Sequence, residues 1–101
     1  AQSLADRTSE ILKTPTRRTW VKVRFLDHRH YAENGGVTEG IEPTFVSLQL
    51  KEIPSSSEQV QLVKQLTCAI ADVLDRDPSN VHLAFLPEGK GRIAFGGELL
   101  S

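Results

Sequence analysis

The chain has 101 residues, of which 39% are hydrophobic and 25% charged, and its formal net charge is −1. This length and composition predict one globular domain and exclude a multidomain enzyme. The balance of acidic and basic residues argues against a general nucleic-acid-binding protein and against a protein held at a membrane by charge. No apolar run approaches the roughly 20 residues of a membrane span. The single cysteine excludes an intrachain disulfide and fits a reducing cytoplasm.

The first 42 residues contain one helical pattern and one strand pattern. Apolar residues at helical spacing predict a helix of about 12 residues that begins at Ser3. The alternation in 20–26 predicts a strand, and Gly35 with Gly36 predicts a hairpin turn. The side chains expected to face the core from this strand are Val21, Val23 and Phe25.

The second half has a clearer pattern. Alternation predicts strands over 44–50 and 81–86. Between them, Ser55 and Glu58 have the spacing of a capping box, which predicts a helix that runs from there to about Leu74. Two parallel strands joined by a long helix form a right-handed crossover. The Gly-rich residues that follow predict a terminal hairpin.

The two halves resemble each other. Residues 20–26 can be aligned with residues 80–86, so that Val21, Val23 and Phe25 correspond to Val81, Leu83 and Phe85. The second half opens with a strand, whereas the first half has no opening strand in this sequence. The alignment therefore predicts an internal repeat of a β-α-β unit, with an incomplete first unit over 1–42 and a second unit over 43–101.

Residues 43–101 resemble 4-oxalocrotonate tautomerase and the wider tautomerase superfamily. Three features carry the resemblance: Pro43 before the strand, the Ser-Ser-Glu-Gln helix start at 56–59, and the ending from Gly89 to Leu100. The resemblance implies an α/β fold for the single domain 1–101, with a mostly parallel sheet and two helices on one face. The other sheet face would carry Trp20, Lys22, Arg24, Phe45 and His82. In this family that face packs around a threefold axis, so the resemblance also implies a homotrimer.

The resemblance implies a chemistry based on a proline with a free amino group, which acts as a general base. Pro43 falls at the family's proline position, but its nitrogen here is an internal amide that cannot accept a proton. The catalytic base is therefore unassigned, and the resemblance would place it on a proline upstream of Ala1. No cofactor is implied.

The resemblance also implies a binding site for a small carboxylate. The family's substrate-binding arginine corresponds to Lys22 in the first unit and to His82 in the second. Arg24 lies on the same strand face as Lys22, so the two cations can bind one carboxylate. The family's pocket aromatic corresponds to Tyr31. The set of expected substrate-binding residues is thus Lys22, Arg24, Tyr31 and His82.

Three functions remain open from the sequence. The first is an isomerase that acts by proton transfer on a small 2-keto or enol carboxylate. The second is a catalytically silent trimer that serves as a structural or interaction module, and the third is a small-ligand sensor. His28 and His30 lack an acidic or cysteine partner at metal-binding spacing, so no metal site is predicted.

Overall fold

A computed structural model describes residues 1–101. It contains two α-helices, four strands, and single 3₁₀ turns at His28–His30 and Pro78–Asn80. The helices and strands in chain order are α1 (Gln2–Leu12), β1 (Thr44–Leu48), α2 (Ser56–Leu74), β2 (Val81–Phe85), β3 (Ala94–Phe95) and β4 (Glu98–Leu99).

β1, α2 and β2 form the predicted β-α-β unit. The two strands pair in parallel, with Thr44 opposite Val81 and Leu48 opposite Phe85. The contact continues beyond the strands, because the Leu86 amide donates to the Leu48 carbonyl at 2.8 Å. Alternation places the odd residues of β2 toward the helices and leaves His82 on the exposed face. The predicted α/β fold is confirmed in this unit.

Both helices contribute to a single core on one side of the sheet. The core cluster joins α1, α2 and β2, and its members are Leu4, Leu66, Ile70, Ala71 and Val81. The apolar stripe of α2 supplies most of them, as its helical periodicity predicts. An ion pair between Arg7 and Asp72 joins the two helices at 3.0 Å. Two helices on one face of the sheet are therefore also confirmed.

β3 and β4 form the predicted hairpin, with Phe95 opposite Glu98. Gly96 and Gly97 connect them at φ of 59° and 89°. Two successive residues with positive φ define a type I′ turn, which matches the twist of a hairpin and favours glycine. Upstream of the hairpin, Gly89 is buried and its amide donates to the Leu50 carbonyl at 2.7 Å, so the end of the chain is fixed beside β1.

Three local predictions are wrong. Residues 20–26 do not form a strand, and Gly35 and Gly36 lie in a turn that joins no strands. The reason is that a strand needs a neighbour to satisfy its backbone groups, and residues 20–26 have none. As a result Phe25 is 95% exposed, whereas Val21 packs against the core. The capping box is also not formed, because the Ser55 side chain makes no capping hydrogen bond although Ser55 precedes the first residue of α2.

The chain is less compact than most proteins of its length. Only seven of the 101 residues are buried. The radius of gyration is 15.2 Å, whereas about 13 Å is typical for a chain this long. Large apolar side chains such as Trp20, Phe25 and Phe45 stay exposed. Neither helix has the length and apolarity needed to cross a membrane.

Candidate functional site

Three rings form a row on the sheet face that the helices leave uncovered. Phe45 of β1 lies directly opposite His82 of β2, with ring centroids 5.3 Å apart. Tyr31 reaches Phe45 from the other side, at 5.7 Å between ring centroids. We call Tyr31, Phe45 and His82 the aromatic face. Two of the four expected substrate-binding residues, Tyr31 and His82, thus both lie next to Phe45.

A short turn positions Tyr31 for this contact. Asp27 precedes the turn at His28–His30, and its side chain accepts a hydrogen bond from the Arg29 amide at 2.9 Å. The Arg29 side chain also donates to Asp27, and these hydrogen bonds, the side-chain one above all, lower the pKa of the Asp27 carboxyl. The chain leaves the turn in extended geometry at Tyr31, which directs this residue to the sheet.

The Tyr31 hydroxyl donates a hydrogen bond to the Glu33 carboxylate. This bond stabilises the protonated phenol, and together with the nearby negative charge it raises the pKa of Tyr31 above its ordinary value. Tyr31 is therefore a neutral hydrogen-bonded ring at physiological pH. The Tyr31 ring can line a binding site, but it does not supply a phenolate base there.

Lys22 lies in a different place. It lines an open depression of about 580 Å³ between the first turns of α1 and the segment that follows this helix. Asp6, Arg17 and Trp20 line the same depression, whereas Tyr31 and His82 do not. A larger depression, of about 670 Å³, lies between the end of α1 and the start of α2 and contains none of the expected site residues.

Both cations of the expected carboxylate site are uncommitted. Lys22 and Arg24 are exposed and take part in none of the ion pairs of the structure. They are also absent from its side-chain hydrogen bonds, which instead involve cations such as Arg29 and Arg76. Each is therefore free to bind an anion without first breaking a contact.

Pro43 directly precedes β1 and is half-buried. Proline is well suited to the first residues of a strand, where its missing amide hydrogen removes no sheet hydrogen bond. No three His, Cys, Asp or Glu side chains converge in a group that could hold a metal ion. Pro43 is thus a residue that begins a strand, and its internal amide nitrogen cannot accept a proton.

The sequence did not single out Phe45 as a site residue, although it is the centre of the aromatic face. The available signal was the alternation in β1, which places Phe45 on the same sheet face as His82. A second stack was also missed: Trp20 lies against Phe95 of the hairpin, with ring centroids 4.5 Å apart and planes within 16° of parallel. This stack joins Trp20, which lines the same depression as Lys22, to the hairpin near the end of the chain.

The fold is similar to that of malonate semialdehyde decarboxylase, a member of the tautomerase superfamily. The TM-score is 0.65 at 16% sequence identity, over 94% of this chain and 78% of that one. The crystal structures of that protein, in wild-type, mutant and inactivated forms, were described as a basis for its decarboxylase and hydratase activities. No family model matches the sequence, and no curated protein matches it. The expected tautomerase-superfamily resemblance is thus confirmed at the level of the fold.

Proposed function

We propose that this chain is a tautomerase-like enzyme, an isomerase that moves a proton on a small 2-keto or enol carboxylate. The observation that carries the proposal is the pair of exposed cations, Lys22 and Arg24, which lack ion-pair partners on a chain with the tautomerase-superfamily fold. In this proposal the pair binds the substrate carboxylate. Tyr31 and His82 lie on the aromatic face, outside the depression beside Lys22, so the proposal does not place them against the same substrate carboxylate.

The two cations would bind the substrate carboxylate in different ways. The Arg24 guanidinium offers a planar fork that matches both oxygens of a carboxylate, whereas the Lys22 ammonium acts as a point charge. Trp20 borders the depression beside Lys22 and provides an apolar surface for the carbon chain of a small substrate. Pro43 is an internal amide and is not the base. The proposal therefore assigns substrate binding, and not proton abstraction, to the residues named here.

Ketonisation of phenylenolpyruvate and of 2-hydroxymuconate, followed by ultraviolet absorbance, tests the proposal. We expect turnover above the buffer rate, and we expect Lys22→Ala to raise KM at least tenfold. Lys64→Ala is the matched control, because Lys64 is an exposed lysine of α2 that lines neither depression. Arg24→Lys keeps the charge but removes the fork, so its KM should lie between those of the wild type and Lys22→Ala. Turnover no faster than buffer, or equal KM values for both lysine variants, would contradict the proposal.

A second candidate function is a catalytically silent homotrimer that serves as a structural or interaction module. The observation that favours it is surface area. The chain exposes 7877 Å², whereas a compact monomer of its mass exposes about 5,700 Å². The excess of about 2,200 Å² exceeds the ~800 Å² that each partner contributes to a standard interface. It is large enough for two interfaces per subunit, as a trimer requires.

Light scattering after size-exclusion chromatography tests this assembly. A trimer has three times the 11.2 kDa of one chain, and a monomer at micromolar concentration would contradict it. Lys22→Ala separates the two functions, because it raises the KM of an enzyme and leaves the mass of a purely structural trimer unchanged. We also propose a cytoplasmic location, which the free and exposed Cys68 thiol supports.

A further inference from the structure

Asn34 and Gly35 lie at the centre of an exposed turn. The Gly36 amide donates to the Glu33 carbonyl at 3.0 Å, so these four residues form a β-turn with Asn34 and Gly35 in its two central positions. Gly35 has a φ of 83°, which is typical of the third residue of a type II turn and favours glycine there. All four residues are exposed, and the turn joins no strands.

The groups needed for a cyclisation of the main chain are free at this dipeptide. The Asn34 side chain takes part in none of the side-chain hydrogen bonds of the structure. The Gly35 amide donates to no backbone group. A Cβ placed on Gly35 would meet no atom within 4 Å, so the space around this residue is open. An electrophilic carbon and a nucleophilic nitrogen are thus neighbours, and neither is engaged or shielded.

We propose that Asn34 is a site of spontaneous modification, at which the side-chain amide is converted to a carboxylate. Asparagine is among the thermolabile residues of proteins. The Gly35 nitrogen gives its proton to water and attacks the side-chain amide carbon of Asn34. A new C–N bond closes a succinimide ring, while the bond to the side-chain nitrogen breaks and this nitrogen takes up a proton and leaves as ammonia.

Hydrolysis of the succinimide ring completes the reaction. Water adds to one of the two ring carbonyls, the bond from that carbon to the Gly35 nitrogen breaks, and the nitrogen regains its proton. The net reaction therefore consumes one water and releases one ammonia, without an oxidant or a reductant. Opening at the former side-chain carbonyl gives aspartate. Opening at the main-chain carbonyl gives isoaspartate, whose main chain is longer by one carbon.

Glu33 connects the modified turn to the aromatic face. Its carbonyl closes the turn, and its carboxylate accepts the hydrogen bond of the Tyr31 hydroxyl. The extra main-chain carbon of isoaspartate would change the span that the hydrogen bond from Gly36 to Glu33 has to close. Both products add one negative charge, so the formal net charge changes from −1 to −2. Two successive residues at the Tyr31 end of the aromatic face would then be anionic.

Asn80 is an internal control for this chemistry. It is the second of only two asparagines in the chain, and its surroundings differ from those of Asn34. Val81 follows it and is 6% exposed. The Val81 amide donates to the Pro78 carbonyl, so the nitrogen that would attack is already engaged. The branched valine side chain also restricts the approach of the two groups. We therefore expect Asn80 to remain an amide while Asn34 reacts.

Peptide mass spectrometry tests the proposal after incubation of the purified chain at 37 °C and neutral pH. Trypsin separates the two asparagines, because its cleavage sites give the peptides 30–51 and 77–90. We expect peptide 30–51 to gain the mass that replaces an amino group by a hydroxyl, at least tenfold faster than peptide 77–90. A sample digested without incubation gives the starting level. Equal rates in the two peptides would overturn the proposal.

Two further measurements locate the reaction and identify its route. Asn34→Gln keeps the amide but lengthens the side chain by one carbon, so ring closure is slower and peptide 30–51 should keep its mass. A mass gain that persists in this variant would overturn the assignment to Asn34. Methyl transfer by a protein isoaspartate methyltransferase should label peptide 30–51 of the incubated wild type and not peptide 77–90. A mass gain without labelling would contradict the succinimide route.

This inference does not depend on the proposed reaction. None of these measurements uses turnover, so an inactive protein leaves the test intact.

Discussion

Trp20 and Phe95 stack face to face at 4.5 Å, and this pair joins the segment after α1 to the hairpin at the end of the chain. Neither ring belongs to the buried core, since Trp20 is 58% exposed and Phe95 is 43% exposed. The stack is thus a separate attachment between the two halves of the molecule. Because the chain has a single tryptophan, its fluorescence reports on this attachment alone.

Phe95→Leu should release Trp20 from the hairpin. An aromatic pair contributes about 1 kcal/mol beyond the area that it buries. We expect the free energy of unfolding to fall by about 1 kcal/mol in urea titrations, and the Trp20 emission to shift to longer wavelength. Phe95→Tyr keeps the ring and is the control, with emission like the wild type. A Leu variant with unchanged emission would show that the stack is absent in solution.

The turn between β3 and β4 should be sensitive to side-chain shape. Gly97 has a φ of 89°, and β-branched residues are strained at positive φ. We expect Gly97→Val to destabilise the hairpin by about 1–2 kcal/mol and to reproduce the fluorescence shift of Phe95→Leu. Gly97→Asn should have a smaller effect, since asparagine tolerates this conformation better than other residues. Equal effects of Val and Asn would contradict the type I′ geometry.

Leu66 is the largest side chain that is fully buried, at 1% exposure. Leu66→Ala leaves a cavity between α1, α2 and β2, which costs about 2–5 kcal/mol in buried sites. We expect cooperative unfolding by circular dichroism to move to much lower urea, or a chain that is unfolded without urea. Val60→Ala, on the exposed side of the same helix, should change stability by less than about 0.5 kcal/mol. Similar losses at both positions would contradict the assignment of the core.

Tyr31 should titrate above its ordinary pKa of about 10. The hydrogen bond to Glu33 favours the neutral phenol, so its stabilising effect is present below the unfolded pKa and is lost as pH rises through the folded value. Tyr31 is the only tyrosine, so absorbance of the tyrosinate near 295 nm follows it directly.

Glu33→Gln removes the charge and should lower the pKa of Tyr31 toward the ordinary value. Glu39→Gln is the control, because Glu39 is an exposed acidic residue of the same segment and is not the hydrogen-bond partner of Tyr31. A titration curve that is the same for the wild type and Glu33→Gln would show that the hydrogen bond is not formed.

The second half of the fold follows from local patterns in the sequence. Alternation predicted β1 and β2, helical periodicity predicted α2, and the Gly96-Gly97 pair predicted the hairpin. Each of these signals works because the element finds its partner within the same half. The parallel pairing of β1 with β2 needs only the crossover helix between them.

The prediction of a strand over 20–26 was wrong because an alternating sequence shows only that a segment could form a strand with one apolar face. It does not show whether a second strand is present to pair with that segment. The same limit explains Phe25, which was expected in the core and is exposed. For the site, alternation was sufficient to place His82 and Phe45 on one face. It could not reveal that Tyr31 reaches Phe45, because that contact depends on the turn at His28–His30.

The small core has a consequence for how the chain tolerates mutation. Its buried apolar side chains come from α1, α2 and β2, so in a library of single substitutions the positions that abolish folding should cluster there. The exposed apolar residues, such as Phe25 and Phe45, form a second class. Substitutions in this class should not impair the folding of an isolated chain. If copies assemble as proposed, polar substitutions in this class become harmful as well, and most strongly at low protein concentration. A map of mutational tolerance at two expression levels would therefore distinguish the residues that fold the chain from those that join its copies.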